Sequence, residues 1–323
     1  MPRTILVVGA GAIGGLFAAM LAGVARVVAF DLSRPHIDAI RAEGLRITGA
    51  SERMARIEAE YDPSALAGIG AEVAIMLVKS AATGAALASV APALAEGALL
   101  VTLQNGMGNA EALRAGTAPV ARGTTMHAAR LVGPGHIEHL IAGPTTLGPV
   151  RGGIEDVRPL VLLMREAGLE AEAVADPMGA VWSKFVFNAV MNPVGALALG
   201  VNAARYEVAE MRALIDQMAE ECLAVVAALG GRPAGDPLAY VRRVRSGEAP
   251  MSRHAGSMAL DMARGVPTEI DELTGFVVRE GERLGVPVAA CRTVYRLVKG
   301  MERARALGAA YGPAATGDGD SKA

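Results

Sequence analysis

The sequence predicts an α/β N-terminal domain, built on a doubly wound parallel sheet, followed by an all-α C-terminal domain. Three observations carry that prediction. Continuous apolar runs rich in β-branched residues, such as Thr4-Ile-Leu-Val-Val8, end at glycine or a polar residue, as strands buried on both faces do. A glycine-rich turn joins the first of these runs to an apolar helix. Beyond Met178 the strand-like runs stop and the pattern becomes helical, broken at Gly230-Gly231, Gly265 and Gly285-Val-Pro287. The composition agrees: residues are 52% hydrophobic but only 3% aromatic, which favours helices and α/β layers over aromatic-rich sandwiches. A chain of 323 residues is long enough for two domains of ordinary size.

Taken in order, Thr4–Val8 is the first strand and Gly9-Ala-Gly-Ala-Ile-Gly14 the turn, followed by a helix through Leu21. Arg26-Val-Val-Ala-Phe30 is a second strand ending at Asp31. Pro35–Gly44 predicts a helix, and Leu45–Ile57 a short hairpin-like excursion. Glu72–Val78 and Gly97–Leu103 are further buried strands, ending at Lys79-Ser80 and at Gln104-Asn-Gly-Met-Gly108. From Gly123 to Val150 the sequence is polar and rich in turns; short strands around Gly133-Pro-Gly135 and Gly143-Pro144 are expected to extend the same sheet. Ile154–Gly168 is a helix with a glycine stop, and Leu169–Val174 a last strand. The domain boundary is expected near Ala175-Asp-Pro-Met178, giving domains 1–176 and 177–307 and a compositionally disordered tail over 308–323. Helices are expected over Trp182–Val201, Ala203–Leu229, Pro237–Ser246, Thr268–Leu284 and Ala289–Leu307.

The first turn has a direct physical reading. Gly9 permits the tight turn, Gly11 lets the backbone approach a pyrophosphate, and Gly14 lets the helix pack closely on the sheet. Ala10, Ala12 and Ile13 complete the loop, and the helix N-terminus offers unpaired N–H groups and positive dipole to phosphate. The motif alone is weak, since small residues are common in packing turns. A strand before it, a helix after it, and an acid roughly 20 residues on make it a dinucleotide fingerprint. Asp31 would accept hydrogen bonds from the adenosine ribose and repel a 2′-phosphate, favouring NAD over NADP. Arg34, three residues on, could neutralise Asp31 or grip a phosphate. Ligands of open α/β sheets lie beyond the carboxyl ends of the strands. Gly9–Gly14, Asp31, Lys79 and Asn105 all fall at such ends, although a solvated strand-end lysine and an ordinary Asn-Gly turn explain the last two equally simply.

A second constellation lies in AVWSKFVFNAVMNPVGA, Ala180–Ala196. On a helix, Lys184, Asn188 and Asn192 fall at 0°, about 40° and about 80°, one narrow polar stripe on an apolar cylinder. A solvated face would carry many charges; here there is one ammonium and two amides. A buried amine must find partners or lose its proton, so the position is costly unless it has a use. The plainer account is a snorkelling lysine with two satisfied core amides. Pro193 cannot donate to the carbonyl of Ala189, so a kink is expected there.

Two further segments, Gly256-Ser-Met-Ala-Leu-Asp261 and Gly265-Val-Pro-Thr-Glu-Ile-Asp-Glu-Leu-Thr-Gly275, complete the set. Together with GAGAIGG, LVKS, LQNGMG and WSKFVFNAVMN, they closely resemble the ketopantoate reductase (2-dehydropantoate 2-reductase) family, from Ile5 to about Val298. The resemblance implies a Rossmann domain joined to a helical domain like that of 6-phosphogluconate dehydrogenase, and reduction of a 2-oxo acid by a nicotinamide cofactor. It makes Lys184 the general acid and gives Glu269, Ser257, Asn188 and Asn192 contacts with substrate. Asn105 and Lys79 would lie near cofactor and substrate. The chemistry suits those roles: hydride attack on a ketone develops an alkoxide, which a nearby cation stabilises and protonates. Glu269 would hold the ammonium charged and oriented, although an acid opening a helix after Thr268 is also favoured by the helix dipole alone. Two departures stand out. An acid, Asp31, stands where NADPH-using members usually have arginine, and Thr274 replaces a frequent asparagine, which could alter substrate contacts.

Other function classes fit less well. With 31 basic and 33 acidic residues, a net charge of −2 suggests neither nucleic acid nor an anionic membrane as partner. Cys222 and Cys291 make no disulfide framework and suggest a cytoplasmic chain with free thiols and no metal site. The apolar N-terminus lacks the basic segment of a signal peptide beyond Arg3. His127, His136 and His139 show no metal spacing and read as surface strand residues. Met211–Leu229 could support a homodimer, though core packing explains it as well. The alternatives are an NAD-dependent dehydrogenase of another small 2-hydroxy acid, or a non-catalytic dinucleotide sensor, which would not need Lys184 and Glu269.

Overall fold

The computed structural model describes residues 4–251 and 256–311, and the expected tail beyond 311 lies outside the described residues. The chain divides into two compact units, Met1–Phe185 with Gly230–Pro237, and Val186–Leu229 with Leu238–Ala323. The division falls inside a helix, later than the change of sequence pattern at Ala175–Met178.

The first unit opens with β1 (Thr4–Val8), α1 (Ala12–Leu21), β2 (Arg26–Phe30) and α2 (Arg34–Glu43). Then come β3 (Leu45–Gly49), β4 (Arg53–Ala55), β5 (Glu58–Glu60), β6 (Ala71–Met76), α3 (Thr83–Val90), β7 (Leu94–Thr102) and α4 (Asn109–Ala112). It continues through β8 (Val120–Thr125), β9 (Ala128–Gly133), β10 (His136–Ile141), β11 (Thr145–Arg151), α5 (Ile154–Glu166) and β12 (Ala171–Ala173). The main sheet has the order β12-β11-β8-β7-β6-β1-β2-β5, parallel except where β11 runs against β8. Alternate residues of each strand enter different cores. Ile5, Val7, Val73, Ile75 and Val101 pack with α1 and α5, whereas Leu6, Val8, Val28, Met76 and Leu100 face the opposite layer. Burying each such side chain contributes about 1.5–3 kcal/mol, so this two-sided burial dominates the unit's stability.

One expectation for this unit fails. β9 and β10 do not extend the main sheet; they form a second sheet, β4-β3-β10-β9, with the Leu45–Ile57 excursion, and β10 runs parallel to β3. Of β8 to β11, only β8 and β11 join the main sheet, whereas β9 and β10 pair with β3 and each other. Both runs alternate in burial, as half-covered strands do, and alternation does not specify a partner strand.

The second unit is helical. α6 (Met178–Leu197) enters it, followed by α7 (Ala204–Glu207), α8 (Ala209–Ala228), α9 (Ala239–Arg245), α10 (Ser257–Arg264), α11 (Thr274–Leu284) and α12 (Ala289–Tyr311). The expected helix over Ala203–Leu229 is split at Val208, which adopts an extended backbone. α10 was hidden in the sequence by its short length, and α11 starts at Thr274 rather than Thr268. α8 buries Ile215, Met218, Cys222 and Val225 at helical spacing. Its Glu221 carboxylate accepts from the backbone N–H groups of Ala290 (2.9 Å) and Cys291 (2.8 Å), capping α12 across the bundle. Cys222 and Cys291 are free thiols, with their sulfurs 3.8 Å apart.

α6 continues through Pro193 without a break. The carbonyl of Ala189, deprived of its usual N–H partner, accepts instead from the Thr274 hydroxyl at 2.7 Å. Thr274 is fully buried, so it serves this helix and is not a substrate contact.

Candidate functional site

The first group of candidate residues gathers at the carboxyl ends of β1, β2, β6 and β7, which are neighbours in the sheet. Gly9 takes φ +93°, and its N–H donates to Phe30 O at 2.8 Å, tying the loop to the end of β2. A Cβ on Gly14 would lie 1.8 Å from Gly9 O, so only glycine lets the first turn of α1 lie this close to the loop. A Cβ on Gly11, by contrast, would meet nothing within 4 Å, and no side chain caps α1. The helix N-terminus is therefore open, which fits a dinucleotide's pyrophosphate.

Asp31 follows directly, its N–H bonded to Glu60 O and its carboxylate accepting from the Ser33 N–H at 2.9 Å. Arg34 turns elsewhere: it pairs with Asp38 at 3.6 Å and lies 5.1 Å from the centre of the Tyr61 ring, which Arg41 also approaches, at 5.0 Å. These contacts leave Asp31 as the acidic group at the end of β2.

Several supporting residues escaped the sequence reading. His36, only 2% exposed, accepts from the Gly135 N–H at Nδ1 (3.0 Å), which leaves Nε2 as donor to Ala10 O at 2.9 Å. The ring thus fixes a carbonyl inside the glycine loop. Its signal was absent because Gly135 is distant in sequence. The Gln104–Gly108 turn is similarly fastened. The Gln104 amide donates to Val78 O (2.6 Å), and Ser80 Oγ and the Asn109 amide both donate to Asn105 O (2.9 and 2.6 Å). Buried Arg122 donates to Gly106 O (2.7 Å) and Met107 O (3.2 Å); burial pushes its pKa down, against the opposing effect of Glu111. Lys79 is exposed beside this turn and Asn105 is half-buried in it.

Lys184 lies at the end of the first unit. Its half-buried Nζ donates to the carbonyl of Thr125, the last residue of β8, at 2.7 Å. The next residues form a buried chain. His127 Nδ1 lies 2.9 Å from His139 Nε2, and His139 Nδ1 lies 2.8 Å from Ser51 Oγ. His127 and His139 are 9% and 3% exposed, so they are not the surface histidines expected; Phe17 of α1 stacks edge-on against His127. His136 bonds to Thr48 Oγ1 at 2.9 Å, in the second sheet. Burial, His139 and the Lys184 ammonium together lower the His127 pKa to about 4, outweighing a hydrogen bond with the Ile141 backbone. Both imidazoles favour the neutral form, so Lys184 meets no competing charge from them at neutral pH.

The remaining candidates lie in the second unit. Asn188 and Asn192 are buried on α6, one and two turns beyond Lys184 on the same helix. Ser257 is exposed as the first residue of α10. Glu269 is half-buried in the bend before α11, so the helix-dipole explanation of its position does not apply. That bend is held firmly: Thr268 N–H donates to Glu302 (2.8 Å), and Asp271 accepts from Lys299 and the Tyr295 hydroxyl, both at 2.8 Å. Burial opposes charge on Lys299, but the Asp271 and Glu302 carboxylates outweigh it and raise its pKa. Asp271 is thus engaged in holding the bend.

Residues 5–152 match the family model described as ketopantoate reductase PanE/ApbA, and residues 176–302 its C-terminal counterpart. The 2-dehydropantoate 2-reductase of Halobacterium salinarum is 32% identical over 93% of this chain and 99% of its own length. That of Archaeoglobus fulgidus is 30% identical over 93% and 98%. Among solved structures, a PanE/ApbA family ketopantoate reductase from Ralstonia eutropha superposes with a TM-score of 0.83 at 32% identity, covering 94% of this chain and all of that one. A D-mandelate dehydrogenase in complex with NADH and anilino(oxo)acetate shares the fold, with a TM-score of 0.84 at 23% identity.

Proposed function

Because the chain belongs to the ketopantoate reductase PanE/ApbA family, oxidoreductases that act on CH–OH groups with a nicotinamide dinucleotide, we propose that it reduces 2-dehydropantoate to pantoate. The observation that carries the proposal is the placing of Lys184. Its ammonium is fastened to Thr125 O beside a neutral histidine pair, on a helix whose next polar positions are Asn188 and Asn192.

In this scheme Gly9, Ala10, Gly11, Ala12, Ile13 and Gly14 hold the dinucleotide's pyrophosphate, Asp31 its adenosine ribose, and Lys79 and Asn105 flank its reactive end. The chemistry that a nicotinamide held here would supply is a hydride for the substrate's carbonyl carbon. As negative charge grows on the carbonyl oxygen, Lys184 Nζ donates a proton to it, and the Thr125 carbonyl keeps the amine from swinging away. The amides of Asn188 and Asn192 and the hydroxyl of Ser257 bind substrate oxygens without adding net charge. The Glu269 side chain accepts a hydrogen bond from a substrate hydroxyl. With Asp31 unneutralised by Arg34, NADH serves at least as well as NADPH. The two cysteines are free thiols, which fits a cytoplasmic enzyme.

Lys184→Ala is the direct test. Removal of a general acid lowers kcat by roughly 10²–10⁴-fold, and cofactor affinity should hardly change because the glycine loop is untouched. Near-normal turnover in that variant would refute the assignment.

A further inference from the structure

The first unit buries a cation that the scheme above does not use. Arg122, in β8, is 3% exposed. β8 runs parallel to β7, with Arg122 opposite Thr102, the last residue of β7. Beyond Thr102 the chain enters the Gln104–Gly108 turn, and the guanidinium reaches that turn from the side of β8. Its Nη2 donates to Gly106 O at 2.7 Å and lies 3.3 Å from Met107 Sδ, and its Nη1 donates to Met107 O at 3.2 Å. Gly106, at φ +86°, lies outside helix and strand, so neither kind of ladder supports the turn at this point.

The other fastenings come from the side of β6. Gln104 Nε2 donates to Val78 O (2.6 Å) and Thr83 Oγ1 (2.8 Å), and Ser80 Oγ donates to Asn105 O (2.9 Å). Those bonds hold Gln104 and Asn105, and Arg122 holds the two residues that follow. A guanidinium is suited to this because its rigid fork of donors can span two successive carbonyls. The peptides are trans, so the N–H groups of Met107 and Gly108 point away from the cation. Burial strips the guanidinium of water and lowers its pKa; Glu111, in the α4 helix that the turn leads into, opposes that shift. The same strand also holds the proton donor. Thr125, which accepts from Lys184 Nζ, lies three residues further on, about 10 Å along β8.

We propose that Arg122 is a positioning residue: it holds the Gln104–Gly108 turn ready for the nicotinamide half of the dinucleotide, and so adds to the affinity for that half. The inference rests on the reading that Asn105 flanks the cofactor's reactive end. The glycine loop and Asp31 follow β1 and β2, three and four strands away from β8 in the sheet, so the adenosine half should not feel the change.

The test measures the dissociation constants of NADH and of ADP-ribose, which lacks the nicotinamide, for wild type, Arg122→Met and Arg122→Lys. A turn that must be ordered on binding lowers affinity, so Arg122→Met should weaken NADH by about tenfold and leave ADP-ribose within about twofold. Arg122→Lys keeps the charge and can reach one carbonyl, and should weaken NADH by a smaller factor with ADP-ribose again unchanged. If Arg122→Met does not fold, Arg122→Lys carries the test. Equal losses for the two ligands would mark Arg122 as a support of the whole unit and overturn the inference, and unchanged NADH affinity would overturn it as well. A wild type that binds ADP-ribose as tightly as NADH would also overturn it, because the nicotinamide half would then gain nothing from the turn. A wild type that binds neither would overturn the dinucleotide reading and this role with it. NADH binding without reduction of 2-dehydropantoate would overturn the proposed reaction alone, since the comparison of the variants reads binding.

Discussion

The proposed preference for NADH rests on Asp31. Its carboxylate sits at the end of β2, held by the Ser33 N–H, and the arginine that could have masked it is engaged by Asp38 and Tyr61. A 2′-phosphate brought beside an ionised carboxylate is repelled, while a ribose hydroxyl is accepted. NADH is accordingly expected to give a kcat/KM at least equal to that of NADPH, and Asp31→Ala to shift the ratio toward NADPH. A wild-type preference for NADPH of tenfold or more would contradict this. At this scale, legibility followed locality. The glycine loop and Asp31 could be read because their roles depend on backbone needs and strand ends. His36 could not, because its ring acts through Ala10 and Gly135, and nothing near it in sequence announces either. The histidines were misjudged for the same reason: burial of His127 and His139 comes from partners in other elements.

Among the elements, α6 shows how a defect in a helix is repaired from elsewhere. Pro193 leaves the Ala189 carbonyl without its helical donor in a fully buried position, and the Thr274 hydroxyl supplies the missing bond. Thr274→Val should therefore destabilise the protein by about 1–3 kcal/mol, the cost of an unsatisfied buried acceptor, in urea denaturation, while Thr274→Ser keeps most of the stability. A valine variant as stable as the parent would show that the carbonyl finds another donor. The sequence disclosed the proline problem but not its solution, because Thr274 lies on α11, far along the chain. It was read instead as a departure touching substrate. The polar stripe of α6 was legible because periodicity alone defines it; the pairing of β9 and β10 was not, because alternation leaves the partner strand open.

For the whole molecule, the two-sided sheet core and the helical second unit were both written in hydrophobic patterning, and the fold class follows from it. Its response to pH was not. His127 has a folded pKa of about 4, well below the usual value of 6.5, so the folded state resists protonation while an unfolded chain accepts it. The stability this provides is present above pH 6.5 and is lost as pH falls toward 4. The loss should amount to about 1–3 kcal/mol, measured as the change in unfolding free energy between pH 7 and pH 4.5. His127→Asn should flatten that slope relative to wild type, and equal slopes would remove His127 as its source. The histidine pair also links stability to the site, since the same burial that depresses its pKa keeps the surroundings of Lys184 uncharged. The account as a whole depends on one reaction. The measurement that tests it most directly is oxidation of NADH and NADPH by the purified protein against 2-dehydropantoate, 2-oxoisovalerate, oxaloacetate and pyruvate. The account predicts cofactor-dependent reduction with the highest kcat/KM for 2-dehydropantoate; absence of turnover with it, or a clear preference for one of the other acids, would contradict it.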